Sequence, residues 1–397
     1  MEKRVMIIGA GKIGRGYLAD LFGDAGYHII FVDSFTEMVD KLNEAGKYTL
    51  FISREGKIDK KIISNYEAYS CERDFDRVVE IIADLDMVCV SLYPSAFPSV
   101  ADQLSEAIKL RIKNNNKKPL NVFFFANKVF TARKMKELIT ERLDSEFEKN
   151  YFMENVGIIE ALTVRGGVKP TDEMLAEDPL CVSSSEGRIL KVGDNIIGEK
   201  PDMPFMEYLD KMEGRLAKKV WCGNMLHCTM SAIGNYKGYK YNIECSKDNY
   251  IKNIIDKAFD EADFGVGEEF GFTPEEMLEN KQHYFDVFWN CKVKDDIARL
   301  AADPMRKLSY DDRYIGPALL CLKRGKLPYF LARSAAYLLM YDNEEDPVAI
   351  KMQKMIKEKG IKQAIPEICG LNLEIENENI LYQLIYGNYM EICFQNN

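Results

Sequence analysis

Val5-Met6-Ile7-Ile8-Gly9-Ala10-Gly11-Lys12-Ile13-Gly14 is a short apolar run closed by a glycine-rich turn. The run predicts a buried strand, and Tyr17, Leu18, Leu21 and Phe22 beyond the turn follow helical spacing. The glycines fit the pattern G-x-G-x-x-G. Gly9 makes the tight turn, Gly11 lets the backbone approach a pyrophosphate, and Gly14 lets the helix pack closely on the strand. The start of the helix then offers unpaired N–H groups to the anion. A second predicted strand, 28–32, ends at Asp33, placed to accept the hydroxyls of an adenosine ribose. An acid there disfavours a 2′-phosphate, so the pattern predicts NAD rather than NADP. The candidate cofactor residues are Gly9, Gly11, Lys12, Ile13, Gly14 and Asp33. Lys12 and Arg15 read as solvated charges at the rim of the turn.

Outward from this turn, the first half alternates strands and helices. Residues 75–85 and 95–112 have helical patterns, while 87–92 and 121–126 are nearly continuously apolar, the latter with an FFF core. Strands buried on both faces and separated by helices predict a parallel, doubly wound sheet. Residues 47–71 read as an inserted excursion of short strands. Further strands are expected at 156–162, 180–183 and 188–192, which carries the Rossmann-type domain to about residue 200. The second half is different. Ile251, Ile254, Ile255, Ala258, Phe259 and Ala262 recur at three and four residues, the mark of an amphipathic helix. Residues 327–341 and 346–360 follow the same rule, the latter opening on Asp346-Pro347 and stopping at Gly360. No comparable strand signal follows residue 200. The expected fold is α/β plus all-α, with an NAD-binding domain at 1–200 and a helical substrate domain at 201–397.

Composition bounds the function. Of 397 residues, 47% are apolar, ample for a large core and incompatible with a disordered chain. The net charge of −10 argues against nucleic acid as a partner. Ten cysteines, none in a CxxC pair, read as reduced thiols in the cytoplasm. The opening MEKRVMIIGAGK does not read as a secretory signal, and the most apolar stretch, 329–341, is short and contains Arg333, so no membrane partner is expected.

The helical half supplies a candidate for chemistry, Lys219-Val-Trp-Cys-Gly-Asn224-Met-Leu-His227. At about 100° per residue, His227 lies about 80° from Lys219 and Asn224 about 140°. The three are expected on one face, with Gly223 keeping it open. A neutral lysine can take a carbinol proton, and amides can donate to the developing oxyanion. The lysine pKa must then fall by desolvation and by positive charge on the cofactor.

Gly9–Gly16 (GAGKIGRG), Asp33 and the K-x4-N-x2-H pattern together resemble the polyol-specific long-chain dehydrogenases, over nearly the whole chain. Pro304-Met-Arg306-Lys307-Leu308-Ser309, with Asp312-Arg313, is similar to that family's PLRKLS…DR stretch. The compact size matches its phosphate-using members. The resemblance implies metal-independent hydride transfer between NAD and a hexitol or hexitol phosphate, giving a ketose or ketose phosphate. Lys219 would be the general acid/base, Asn224 and Asn127 would polarise the carbonyl oxygen, and His227 would orient the substrate. Arg306, Lys307 and Arg313 would anchor hydroxyls or phosphate. The small-molecule partner is thus a polyol or sugar phosphate, and the chain is expected as a monomer or small homo-oligomer. The sequence departs from the family elsewhere. Its VDRIVP stretch reads Thr163-Val164-Arg165-Gly166-Gly167-Val168, its Glu-Asn-Met is Ala126-Asn127-Lys128, and the lysine of its RLIKP is Gly316. The reaction is therefore expected to be shared, with hydroxyl recognition altered.

Other readings fare worse. Cys222 and Cys228 flank His227, but C-x5-C on one helix is poor spacing for zinc. Tyr236-x3-Lys240 imitates a short-chain reductase pair outside the sheet domain. A hexuronate reductase of the same family would use the same trio with another anion site. A non-enzymatic NAD sensor would have no use for it.

Overall fold

The computed structural model describes residues 3–54, 57–291 and 294–394. The chain divides into two compact units, 1–212 and 213–397. The first contains twelve strands among the described residues: β1 (Arg4–Ile8), β2 (His28–Asp33), β3 (Tyr48–Arg54), β4 (Lys57–Ile63), β5 (Tyr66–Ser70), β6 (Met87–Val90), β7 (Leu120–Phe124), β8 (Val156–Leu162), β9 (Gly167–Val168), β10 (Val182–Ser185), β11 (Leu190–Gly193) and β12 (Met206–Leu209).

Eight of them form one sheet in the order β12-β11-β8-β7-β6-β1-β2-β5. The six from β8 to β5 are parallel. Numbered along the chain, they lie in the order 3-2-1-4-5-6 of a doubly wound dinucleotide fold. The sheet's twofold burial explains the strand composition. Met6 and Ile8 of β1 join Val122 and Phe124 of β7 in one core, while Val5 and Ile7 join Phe123 and Tyr17 in the other. Successive strand residues point to opposite faces, so a strand covered on both must be apolar throughout.

The edge differs from a simple continuation. β11 runs antiparallel to β8, and β12 lies beyond it. β10 leaves the main sheet altogether and pairs with β3 in a four-stranded sheet, β4-β3-β10-β9. The inserted strands at 47–71 therefore split, β5 closing the large sheet and β3 and β4 building the small one.

The second unit is helical among its described residues. Asn224–Tyr236 packs against Asn249–Phe270, Ile297–Ala301 and Tyr329–Leu339. The stripe Ile251, Ile255, Ala258, Phe259 and Ala262 is buried as its spacing predicts. Asp248 caps that helix by accepting from the N–H groups of Tyr250 and Ile251, and Gly271 ends it at φ +66°. Such a cap contributes about 1 kcal/mol. Asp346 likewise accepts from Val348 N–H at the start of Pro347–Lys359.

Candidate active site

In the first unit the chemistry gathers after β1. Gly9 has φ +106°, and a Cβ there would lie 2.6 Å from the Ser91 carbonyl oxygen, at the reversal of strand order between β1 and β6. A Cβ on Gly14 would lie 1.9 Å from the Gly9 oxygen, so no larger residue fits between helix and turn. Gly11 is the opposite case, with nothing within 4 Å of its Cβ position. Asp33 closes the turn from the side: one carboxylate oxygen accepts from Ala10 N–H at 2.8 Å, the other from Phe35 N–H at 3.0 Å. Open space at Gly11, a helix beginning at Lys12 and Ile13, and a half-exposed acid beside the turn fit a dinucleotide.

Lys12 is exposed, as expected for the rim. Arg15 is a correction. It is buried, donates to the Ala10 and Leu180 carbonyls at 2.6 Å, and lies over the Tyr48 ring. A guanidinium can be buried here because backbone oxygens replace its water. Asn127 stands on an exposed bend following β7 in this unit.

In the second unit Lys219 lies in a π-helical turn, Lys218–Gly223, which leads directly into Asn224–Tyr236. Asn224 N–H returns to the Lys219 carbonyl, five residues back. The regular 100° spacing is thus broken between Lys219 and Asn224, and resumes from Asn224 to His227. Such turns interrupt helices at a cost and recur at functional sites. Lys219 is half-buried, and burial brings its pKa down to about 8. Its neighbour Lys218 is engaged otherwise, 3.3 Å from the Glu276 carbonyl and over the Phe272 ring.

His227 packs edge-on against Phe288, with ring centroids 4.2 Å apart. Burial and then the Arg313 charge push its pKa down to about 4, so the imidazole is neutral. It borders a cavity of about 100 Å³ lined also by Asn242, Ser246, Phe288 and Asp295. Gly223 does not keep this face open. A Cβ there would lie 2.3 Å from the Tyr284 ring, so the glycine is a seat for that side chain. Gly316 is similar, its Cβ position 2.8 Å from the buried Trp221 indole.

The predicted anion anchors divide. Arg313 is buried, bonded to Asp312 at 2.8 Å and to the Asn224 carbonyl at 3.4 Å. Lys307 is buried and donates to the Leu300 carbonyl at 2.6 Å. Arg306 is partly exposed and paired with Asp303 at 2.5 Å and Asp312 at 3.6 Å. Asp312, only 2% exposed, thus ties the two arginines together. Among the described residues no group of three His, Cys, Asp or Glu is arranged to hold a metal ion. No helix among them is long and apolar enough to cross a membrane.

Comparison with known proteins bears on both units. A model of the mannitol dehydrogenase Rossmann domain matches residues 3–195, and one of the mannitol dehydrogenase C-terminal domain matches 213–393. A mannitol-1-phosphate 5-dehydrogenase from Thermoanaerobacter pseudethanolicus is 30% identical over 95% of each chain. One from Oceanobacillus iheyensis is 29% identical over 96% of this chain and 98% of its own. Among solved structures, Pseudomonas fluorescens mannitol 2-dehydrogenase, in a ternary complex with NAD and D-mannitol, superposes with a TM-score of 0.74 at 16% identity. That match covers 99% of this chain and 92% of the other.

The two matched family models and the relatives similar over nearly the full length make this chain an oxidoreductase acting on a CH–OH group. Both family models and the near-full-length relatives make the assignment specific: the chain belongs to the mannitol dehydrogenase family.

Proposed function

We propose that this enzyme interconverts a hexitol phosphate and a ketose phosphate, mannitol 1-phosphate and fructose 6-phosphate, with Lys219 as general acid/base and without a metal ion. The cofactor is NAD. The observation that carries the reading is Lys219 itself, whose pKa near 8 lets it exchange a proton at neutral pH. The names of the relatives support the phosphorylated substrate.

When bound, NAD supplies the hydride acceptor at its nicotinamide ring. In the oxidation direction the neutral amine of Lys219 removes the proton from the substrate hydroxyl. The side-chain amide of Asn224 donates a hydrogen bond to the oxygen as it becomes a carbonyl. His227, neutral, donates one hydrogen bond and accepts another, which suits a neighbouring hydroxyl of the sugar chain. Reduction reverses these roles, with the Lys219 ammonium returning the proton. Arg306, backed by Arg313 and Lys307, is the proposed phosphate anchor. Arg306 and Arg313 pair with the carboxylates of Asp303 and Asp312, and Lys307 donates to the Leu300 carbonyl beside them. The family assignment supports a cytoplasmic location.

The test is an NADH-linked rate screen over fructose 6-phosphate, fructose and hexuronates, with EDTA present and absent. Fructose 6-phosphate should show a KM below that of fructose by on the order of a hundredfold, as one desolvated charge-assisted contact gives. Arg306→Ala should erase most of that gap, and EDTA should change nothing. Equal KM values for the two sugars, unmoved by Arg306→Ala, would remove the phosphate site and leave a free polyol or hexuronate as substrate. Activity with none of them would favour a sensor.

A further inference from the structure

Helix Pro274–Trp289 lies along the turn that carries Lys219, and two of its rings fix the register. Tyr284 meets Gly223, and Phe288, four residues on, meets His227, itself four residues beyond Gly223. In each helix the paired positions are one turn apart, so both rings come from one face and meet one face. The Tyr284 contact has a particular sense. The Cβ position of Gly223 is 2.3 Å from Cε1, 2.4 Å from Cζ and 2.9 Å from Oη. The hydroxyl end of the ring is therefore what reaches the turn, between Lys219 and His227 in sequence.

That hydroxyl has no hydrogen-bond partner among the described residues. Other tyrosines of this chain do: Tyr48 donates to the Arg15 carbonyl at 2.7 Å and Tyr208 to the Pro201 carbonyl at 2.7 Å. Tyr284 is half-buried, and a hydroxyl there with no protein partner is open to a ligand oxygen. Burial also raises the Tyr284 pKa, which keeps the group a neutral donor.

We infer that Tyr284 is a substrate-binding residue, its hydroxyl hydrogen-bonding an oxygen of the sugar chain beside the reacting carbon. This rests on the reading of Lys219 as the acid/base. Any side chain at Gly223 would displace the ring. With Gly316 offering no polar group, a hydroxyl from another helix supplies recognition that this position lacks.

The experiment is Tyr284→Phe, which keeps the ring on Gly223 and removes only the oxygen. KM for the best sugar substrate, fructose 6-phosphate being the first probe, should rise roughly five- to twentyfold, the effect of one neutral hydrogen bond. The kcat should fall by less than about threefold, and NADH affinity and melting temperature should stay as in wild type. Monodeoxy analogues sharpen it: on the one lacking the bonded oxygen, wild type and variant should have equal KM. A KM within twofold of wild type overturns the inference, as does a rise matched by a fall in melting temperature. Lys219→Ala, measured alongside, separates the two levels. If it remains active, the reading of the site has failed; if it is inactive and Tyr284→Phe is silent, only the role of Tyr284 has.

Discussion

The turn after β1 and the turn before helix Asn224–Tyr236 both depend on glycine, for opposite reasons. In the first, Gly9 and Gly14 let backbone approach backbone, and Gly11 leaves a side open with nothing within 4 Å. In the second, Gly223 receives the Tyr284 ring at 2.3 Å from its Cβ position, and the turn's own Trp221 lies 2.8 Å from the Cβ position of Gly316 on another helix. One turn leaves open space where a pyrophosphate is proposed; the other has its space filled by rings. Missing side-chain volume alone does not mark a binding site. What occupies the vacated space decides it.

The sharpest separation of the two turns is Lys219→Ala. If the second turn carries the proton and the first only the cofactor, kcat should fall by roughly two to four orders of magnitude. NADH affinity should be nearly intact. The pH dependence carries a sign as well. Oxidation needs the neutral amine, so its rate should rise with pH through an inflection near 8 and level off above it. Cofactor positive charge moves that inflection downward if at all. Reduction needs the ammonium and should decline over the same range. His227, near 4, should add no inflection between mildly acidic and neutral pH. Activity within a few-fold of wild type in Lys219→Ala would break the assignment.

Asp33 tests the first turn alone. Its carboxylate sits against Ala10 N–H, where a 2′-phosphate would meet a like charge. The kcat/KM with NADH should exceed that with NADPH by well over tenfold, and Asp33→Ser should narrow the ratio chiefly by improving NADPH. Parity between the cofactors in wild type would remove Asp33 from the site.

Much of this was legible in the residue order, because it depends on local pattern. The strands β1, β2 and β7 declare themselves by apolar runs such as Val5–Ile8, Ile29–Val32 and Val122–Phe124, and the helix Asn249–Phe270 by its stripe and its Asp248 cap. The glycine turn and Asp33 follow from spacing, and K-x4-N-x2-H from resemblance. What stayed hidden depends on partners remote in the chain. Nothing local in Arg15 announces the Leu180 carbonyl that buries it, and nothing in 182–185 says β10 will pair with β3 rather than join the large sheet. The π-helical turn was invisible because a regular helix fits the same letters. Gly223 read as an opening because Tyr284 lies on another helix, and so the hydroxyl it seats was missed. An aromatic row, Tyr284-Phe285 and Phe288-Trp289, was the one available signal, and it looks like ordinary core.

The smallest expected effect on rate comes from exchanging the glycines themselves, and it puts the contrast between the turns to a direct test. Gly11 does not have positive φ, and its Cβ position is open, so Gly11→Ala has no steric or backbone cost in the free protein. By narrowing the unfolded ensemble it should hold or slightly raise stability, by up to about 1 kcal/mol. Its methyl would enter the space a pyrophosphate needs, so NADH affinity should weaken. Gly223→Ala should do the reverse. Its methyl would meet the Tyr284 ring at 2.3 Å, and overpacking of this kind costs about 1–3 kcal/mol. For a unit of this size that lowers the melting temperature by roughly 2–4 °C per kcal/mol. NADH affinity should be unchanged, while KM for the sugar should climb by a few-fold as the ring is pushed from its seat. Thermal melts and NADH titrations on the two variants decide the matter. Matching losses of stability, or matching losses of NADH affinity, would show that the two turns use glycine alike, and the contrast would fail.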